Sequence, residues 1–359
     1  MSKYKITVYA ICKNEKNNVK DWYNSMKEAD EIIVLDTGSE DGTYELLKKF
    51  PKIKAFRKKI TPWRFDTARN VSLSYVSKDT DICVCTDLDE RFDSGWRQVL
   101  EQNWTNETTR GKYLYNWSFK NGKPATTFYL NKIHTLHNYH WVNAVHEVLE
   151  TTTTENEKLI EGIILNHYQD FTKSRSSYLT LLETSVAENP NNDRNMHYLG
   201  REYMYYKKWN DAIETLHNHL TLKTATWKDE RCASMRYIGY CYFNKKYIEE
   251  AIMWYEKSIE EAPYLREPYF DLGYLYYSIK DYINSEKYLK KALKIKNKSY
   301  TYINEEKAWN DTIYDLLSIS CFYNKKYKQA LSYIKKAINM NPECERLKSN
   351  LETIKNYAI

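Results

Sequence analysis

The sequence is short of the residues that interrupt regular structure. Nine glycines and seven prolines in 359 residues argue against a repetitive fibrous chain and against extensive disorder. No Cys-x-x-Cys pair occurs among the seven cysteines. Cys83 and Cys85 share one face of a strand and Cys12 sits in another apolar strand, so they read as small core side chains in a reducing cytosol. No apolar run approaches the ~20 residues that cross a bilayer, and Met1-Ser2-Lys3-Tyr4-Lys5 lacks a signal-peptide pattern. We therefore expect a cytoplasmic protein without integral membrane association. Nucleic-acid motifs are also missing. The formal net charge of +6 lies wholly in the second half, since the first 170 residues balance, and it reads as a lysine-rich solvated face.

What is present divides into two halves. The first alternates strand and helix. Ile6 to Ile11 predicts a strand, Asn18 to Glu28 a helix, and Glu31 to Leu35 a second strand. Asp36-Thr37-Gly38-Ser39-Glu40-Asp41-Gly42-Thr43 then forms a turn that opens a helix through Tyr44 to Lys48. Ile53 to Phe56 predicts a third strand, Phe65 to Ser77 a helix, and Ile82 to Cys85 a buried strand. The alternation implies a parallel sheet with helices on both faces. Asn14, Glu15, Asp36 and Asp87 would then emerge at one carboxyl edge, where open sheets bind ligands. Asp87-Leu88-Asp89-Glu90 brings three carboxylates there. Such a cluster repels itself unless a proton or a cation compensates it. Mn²⁺ or Mg²⁺ shared with a substrate diphosphate suits these oxygen donors.

These residues carry a resemblance. Ala10-Ile11-Cys12-Lys13-Asn14-Glu15, Asp36-Thr37-Gly38-Ser39, Ala68-Arg69-Asn70 and Asp87-Leu88-Asp89-Glu90 resemble, in order, the motifs of family 2 glycosyltransferases with a GT-A fold. Trp141 to Glu147 and Asn166-His167-Tyr168 resemble later motifs of the subgroup related to lipopolysaccharide-core glucosyltransferases. The resemblance implies a GT-A domain, a Rossmann-like mixed α/β sheet, over residues 1–177. It implies a UDP-hexose donor held by Ala10, Cys12, Asn14, Glu15, Asp36, Ser39, Arg69, Asp87 and Leu88. Asp36 would accept the uracil N3–H, and Arg69 would lie near the uracil or the phosphates. Asp89, Asp87 and His167 would hold the metal. Glu147 is the expected base for an inverting transfer, in an apolar setting of Trp141, Val142, Val145 and Val148 suited to raising its pKa; His146 is the alternative base or acceptor contact. Glu90 reads as a helix-start carboxylate. His134, His137 and His140 lack further ligands at zinc spacing. Lys52 to Lys59 reads as a solvated edge or as an attractor for the doubly charged donor. A nucleotidyltransferase is disfavoured, because no glycine-rich, Arg/Lys triphosphate loop follows the first strand.

The second half is a repeat. Gly200, Gly239, Gly273 and Ser318 head one template, continued by Tyr203, Tyr242, Tyr276 and Cys321, then Ala212, Ala251, Ser285 and Ala330, then Leu216, Tyr255, Leu289 and Ile334. It resembles the tetratricopeptide repeat, with about four units and a preceding half unit over residues 178–359. Small residues let paired helices approach, and large ones fill between units. Tyr205, Tyr206 and Tyr277 are candidates to line a groove for an extended or helical peptide. A GT-A domain followed by such repeats resembles bacterial peptide and protein glycosyltransferases, including bacteriocin S-glycosyltransferases. The expected function is metal-dependent, inverting transfer of a hexose from a UDP-sugar to a protein or peptide held by the repeats. The alternatives are transfer to a surface polysaccharide or glycolipid, and a non-catalytic repeat adaptor. A homodimer through the repeats is a further reading.

Overall fold

The structure is a computed structural model that describes residues 3–120, 122–170 and 177–357. The chain forms two compact units: Met1–Ser185 with Tyr300–Tyr302, and Val186–Ser299 with Ile303–Ile359.

In the first unit β1 (Ile6–Cys12), α1 (Val19–Met26), β2 (Glu31–Asp36), α2 (Thr43–Leu47), β3 (Ile53–Arg57), α3 (Phe65–Ser74) and β4 (Ile82–Asp87) alternate as expected. Every residue of β1 and β2 is buried, which is why they read as unbroken apolar runs. Their period of two sorts the core. Ile6, Val8, Ala10 and Cys12 join one cluster with Trp22 and Met26, while Tyr9 packs on the other face with Cys83, Cys85 and Trp141. The rest comprises β5 (Glu90–Phe92), α4 (Trp96–Asn103), β6 (Arg110–Lys120), β7 (Lys123–Thr135), a hairpin of β8 (Tyr139–Val142) and β9 (Val148–Thr151), β10 (Glu157–His167) and α5 (Tyr178–Glu188).

The main sheet has the order β3-β2-β1-β4-β7-β6-β10-β5. Only its first four strands are all parallel. The mixed sheet expected of a GT-A domain is present: the alternating stretch supplies these parallel strands, while β7 joins β4 antiparallel and pairs antiparallel with β6. The reason is local. Lys120 pairs with Lys123, so two residues of sequence separate the strands, and a connection that short permits only an antiparallel pair. The strand β10 then runs parallel to β6, and β5 antiparallel to β10, with His167 opposite Glu90.

The second unit is helical: α6 (Asp193–Tyr205), α7 (Trp209–Thr221), α8 (Lys228–Asn244), α9 (Ile248–Glu261), α10 (Glu267–Ser278), α11 (Tyr282–Lys294), α12 (Asp311–Tyr323), α13 (Tyr327–Met340) and α14 (Glu345–Lys355). The template glycines mark where paired helices touch. A Cβ at Gly200 would stand 2.5 Å from Leu216, and one at Gly273 2.7 Å from Leu289, below any tolerable contact. No helix among the described residues is long and apolar enough to cross a membrane.

Candidate active site

The loops after β1 and β2 are stitched together before any ligand is considered. Asp36, the last residue of β2, is fully buried. Its Oδ1 accepts the Gly38 and Ser39 N–H groups at 2.9 Å each and Arg57 Nε–H at 3.2 Å, while its Oδ2 meets Cys12 Sγ at 3.8 Å. Asn14 adopts φ 57°, a left-handed conformation that asparagine tolerates. There its N–H donates to Ser39 Oγ at 2.8 Å and its Oδ1 accepts Glu40 N–H at 2.9 Å. Glu15 N–H donates to Thr43 Oγ1 at 2.8 Å. One carboxylate oxygen of Asp36 is therefore spent on fixing the loop, and the other meets the Cys12 thiol.

Charge accumulates at the end of β4. Asp87 receives Arg69 Nη2 at 3.0 and 3.1 Å, and Lys132 Nζ on β7 lies 3.6 Å from its Oδ2. Burial opposes ionisation of Asp87, but Arg69 and Lys132 outweigh it and hold the carboxyl at about 2. Glu90 lies beneath, buried, accepting Asp87 N–H at 2.9 Å and Tyr115 O–H at 2.8 Å; burial raises its pKa. Asp89 turns the other way. Its Oδ2 is 3.3 Å from His167 Nε2, and His167 Nδ1 is 3.0 Å from Trp117 O. A carbonyl only accepts, so Nδ1 carries a proton. Nε2 is then the nitrogen turned toward Asp89, and Trp117 stacks on the ring at 4.5 Å. Burial lowers the His167 pKa, while Asp89, the Trp117 carbonyl and Glu90 together raise it, leaving it above the ordinary imidazole value. A carboxylate beside an imidazole whose remote nitrogen is anchored to a carbonyl is a fitting donor set for a divalent cation.

Glu147 arrives through α3. Asn70 Nδ2 donates to Trp141 O and Asn70 Oδ1 accepts Trp141 N–H, both at 2.8 Å. Phe65 N–H donates to Ala144 O at 2.9 Å. This pins β8 and the loop that follows it to α3, so that Arg69 Nε–H donates to Glu147 Oε1. Arg69 is almost wholly buried, with Nη1 3.2 Å from Cys85 Sγ and its guanidinium 5.1 Å from the Trp141 ring. Burial opposes its charge, yet Asp87 and Glu147 raise its pKa well above the ordinary value.

Several expectations change. The apolar pocket foreseen for Glu147 holds a guanidinium instead, because the side chain of Arg69 reaches it from a distant helix. Arg69, expected near the uracil or the phosphates, bridges the carboxylates of Asp87 and Glu147. Ala10 and Leu88 place their side chains in the core, and the Ala10 carbonyl is taken by Ser72 Oγ–H at 2.9 Å, so neither offers a side chain to a donor. Glu90 begins a strand, not a helix. Asp87 is held by Arg69 while Asp89 faces His167. Among the described residues the three do not form a group whose ligand atoms all lie within 4.8 Å of one another; Asp193, His219 and Glu230 do. His146 takes φ 52°, and its ring meets Tyr178 edge-on at 5.8 Å. His134 is structural: it accepts from Tyr9 O–H at 2.8 Å, and burial lowers its pKa to about 4. Arg57 and Lys132 contact Asp36 and Asp87; the sequence does not single out Lys132 and marks Arg57 only as part of the basic stretch Lys52 to Lys59.

The sequence matches Glycosyl transferase family 2 over residues 7–228 and the Tetratricopeptide repeat over 238–264, 267–299 and 312–344. The first helix pair, α6 and α7, therefore falls within the former match. A curated relative, the lipopolysaccharide core biosynthesis glycosyltransferase LpsC of Rhizobium meliloti (strain 1021), is 30% identical over 104 residues, 28% of this chain and 37% of that protein; the chain thus spans about a third of its length. Solved structures similar to this chain include MamA, at 20% identity and TM-score 0.38 over 49% of this chain and 97% of that one. Another is a thermophilic TPR protein of Thermus thermophilus, at 18% identity and TM-score 0.37 over 50% and 90%. With more than half of its length matched, the chain belongs to glycosyl transferase family 2 and carries tetratricopeptide repeats after its catalytic-type domain.

Proposed function

We propose that the protein transfers a hexose from a UDP-sugar, with inversion at the anomeric carbon, to a protein or peptide acceptor recruited by the repeats. The observation that carries this reading is the Asp87–Arg69–Glu147 bridge at the strand ends, beside the Asp89–His167 pair. Asp36 Oδ2 would accept the uracil N3–H, and Asn14, Glu15 and Ser39 would wall the nucleotide pocket. Asp89 and His167 would hold a divalent cation near Asp87; when bound, Mn²⁺ or Mg²⁺ supplies Lewis-acid neutralisation of the leaving diphosphate. Glu147 would take the proton of the attacking acceptor group through Oε2, since Oε1 is occupied by Arg69, as the new bond to the anomeric carbon forms and the bond to the diphosphate breaks. Arg69 acts as a positioning residue that fixes base and Asp87 relative to each other. The repeats support a polypeptide acceptor, because grooves of this kind bind extended or helical peptides.

The activity named for LpsC favours a second reading, transfer to a lipopolysaccharide core sugar. Offering labelled UDP-hexoses with Mn²⁺ to peptide acceptors and to core oligosaccharide in parallel separates the two. Label on peptide supports the first reading, label only on oligosaccharide supports the second, and label on neither acceptor from any donor overturns both.

A further inference from the structure

The second unit contains a histidine where its repeat asks for a small residue. His219 on α7 occupies the register held by Ser258, Ala292 and Ala337 in the later pairs, all fully buried. Packing alone explains the small residues, which sit where helices crowd. It does not explain an imidazole. His219 is fully buried, and its Nε2 lacks a hydrogen-bond partner, as does Nε2 of His197.

The surroundings of His219 are those of a ligand. Its Nδ1 is 2.9 Å from Ser234 Oγ, which is 2.7 Å from His197 Nδ1. The serine hydroxyl can donate to one ring and accept from the other. With Ser234 accepting from Nδ1–H of His219, Nε2 of that ring presents a lone pair. That nitrogen lies 3.4 Å from Glu230 Oε1. Tetrahedral zinc with bonds of ~2.0–2.1 Å separates its ligand atoms by about 3.3–3.4 Å. A carboxylate oxygen of Asp193 completes a set whose ligand atoms all lie within 4.8 Å of one another. The three come from three helices, α6, α7 and α8, so a cation would clasp the first helix pair to the second.

We propose that Asp193, His219 and Glu230 form a structural site for a divalent first-row cation, zinc by the nature of its donors and the spacing of His219 and Glu230, separate from the metal residues at the strand ends. Two carboxylates and a neutral imidazole balance the charge of a 2+ ion, and Ser234 fixes the ring behind it as outer partners of metal ligands do. His219 and Glu230 are buried and Asp193 is half-buried, which suits a structural ion.

The test is zinc binding by the full-length protein after EDTA treatment, read by competition with a chromophoric chelator and by the zinc-induced shift in thermal unfolding. Wild type and Asp89→Ala are expected to retain one tight zinc. His219→Ala and Glu230→Gln should each weaken it by at least about tenfold and lose the thermal shift. Alanine stands at the same register in two later pairs, so the repeat accepts it at this position; should the cavity left by His219→Ala prevent folding, Glu230→Gln, which preserves shape, reads the same quantity. Equal zinc affinity in wild type, His219→Ala and Glu230→Gln would overturn the site. So would loss of zinc in Asp89→Ala, or absence of zinc binding by wild type.

Discussion

Each unit of the chain sets an imidazole against a carboxylate at nearly the same distance, 3.3 Å for His167 and Asp89 and 3.4 Å for His219 and Glu230. The difference lies behind the ring. His167 is backed by the Trp117 carbonyl, which can only accept, so its protonated nitrogen is fixed by the strand. His219 is backed by the Ser234 hydroxyl, which can turn, and beyond it lies a second buried ring. The first pair sits beside Asp87, Arg69 and Glu147, charges able to meet a diphosphate and an acceptor. The second sits among helices at a position otherwise given to small residues. On the two proposals made above, one local motif would be given different work by the groups around it.

The largest effect should come from breaking the first pair. Asp89→Ala should lower turnover by about a thousandfold or more, since a Lewis-acid contribution is worth several kcal/mol. The check is a steady-state assay over a range of Mn²⁺. Glu147→Gln removes a base while keeping its shape and should cost about 10²–10⁴ in kcat with UDP affinity unchanged, as calorimetry would report; weakened UDP binding would instead make Glu147 a support of the nucleotide pocket. Gly200→Val tests the other unit. Its Cβ would meet Leu216, and about 3 kcal/mol of overpacking strain should lower the melting transition of the helical unit while UDP binding persists. The smallest effect concerns pH. Burial holds His134 at about 4, below the ~6.5 of an unfolded histidine, so the unfolded chain takes up the extra proton and stability falls as the pH drops below ~6.5. Urea unfolding should show a loss of about 2 kcal/mol between pH 7 and pH 5 that His134→Gln abolishes.

Much of this arrangement was legible in the sequence. Strands buried on both faces announce themselves as apolar runs, so β1, β2 and β4, and with them the placement of Asp36 and Asp87 at one edge, could be read directly. The repeat register was equally plain, because Gly200 and Leu216, or Gly273 and Leu289, are coupled by sterics at fixed spacing. What could not be read depends on partners distant in sequence. Arg69 and Glu147 stand 78 residues apart, and nothing near Glu147 reveals that its pocket is filled by a guanidinium. Lys132 reaches Asp87 only because β7 pairs with β4. Ala10 and Leu88 lie within motifs, yet the strand period turns the one side chain, and packing the other, into the core. Motif membership told which loops matter, not which side chains within them face the crevice.

The most direct measurement is release of nucleotide from a panel of UDP-, GDP- and TDP-hexoses by the full-length protein, with Mn²⁺ and with EDTA. The account predicts release from a UDP-sugar that depends on the metal and is lost with Asp89→Ala. Release that is indifferent to EDTA, or that favours a GDP- or TDP-sugar, would contradict it.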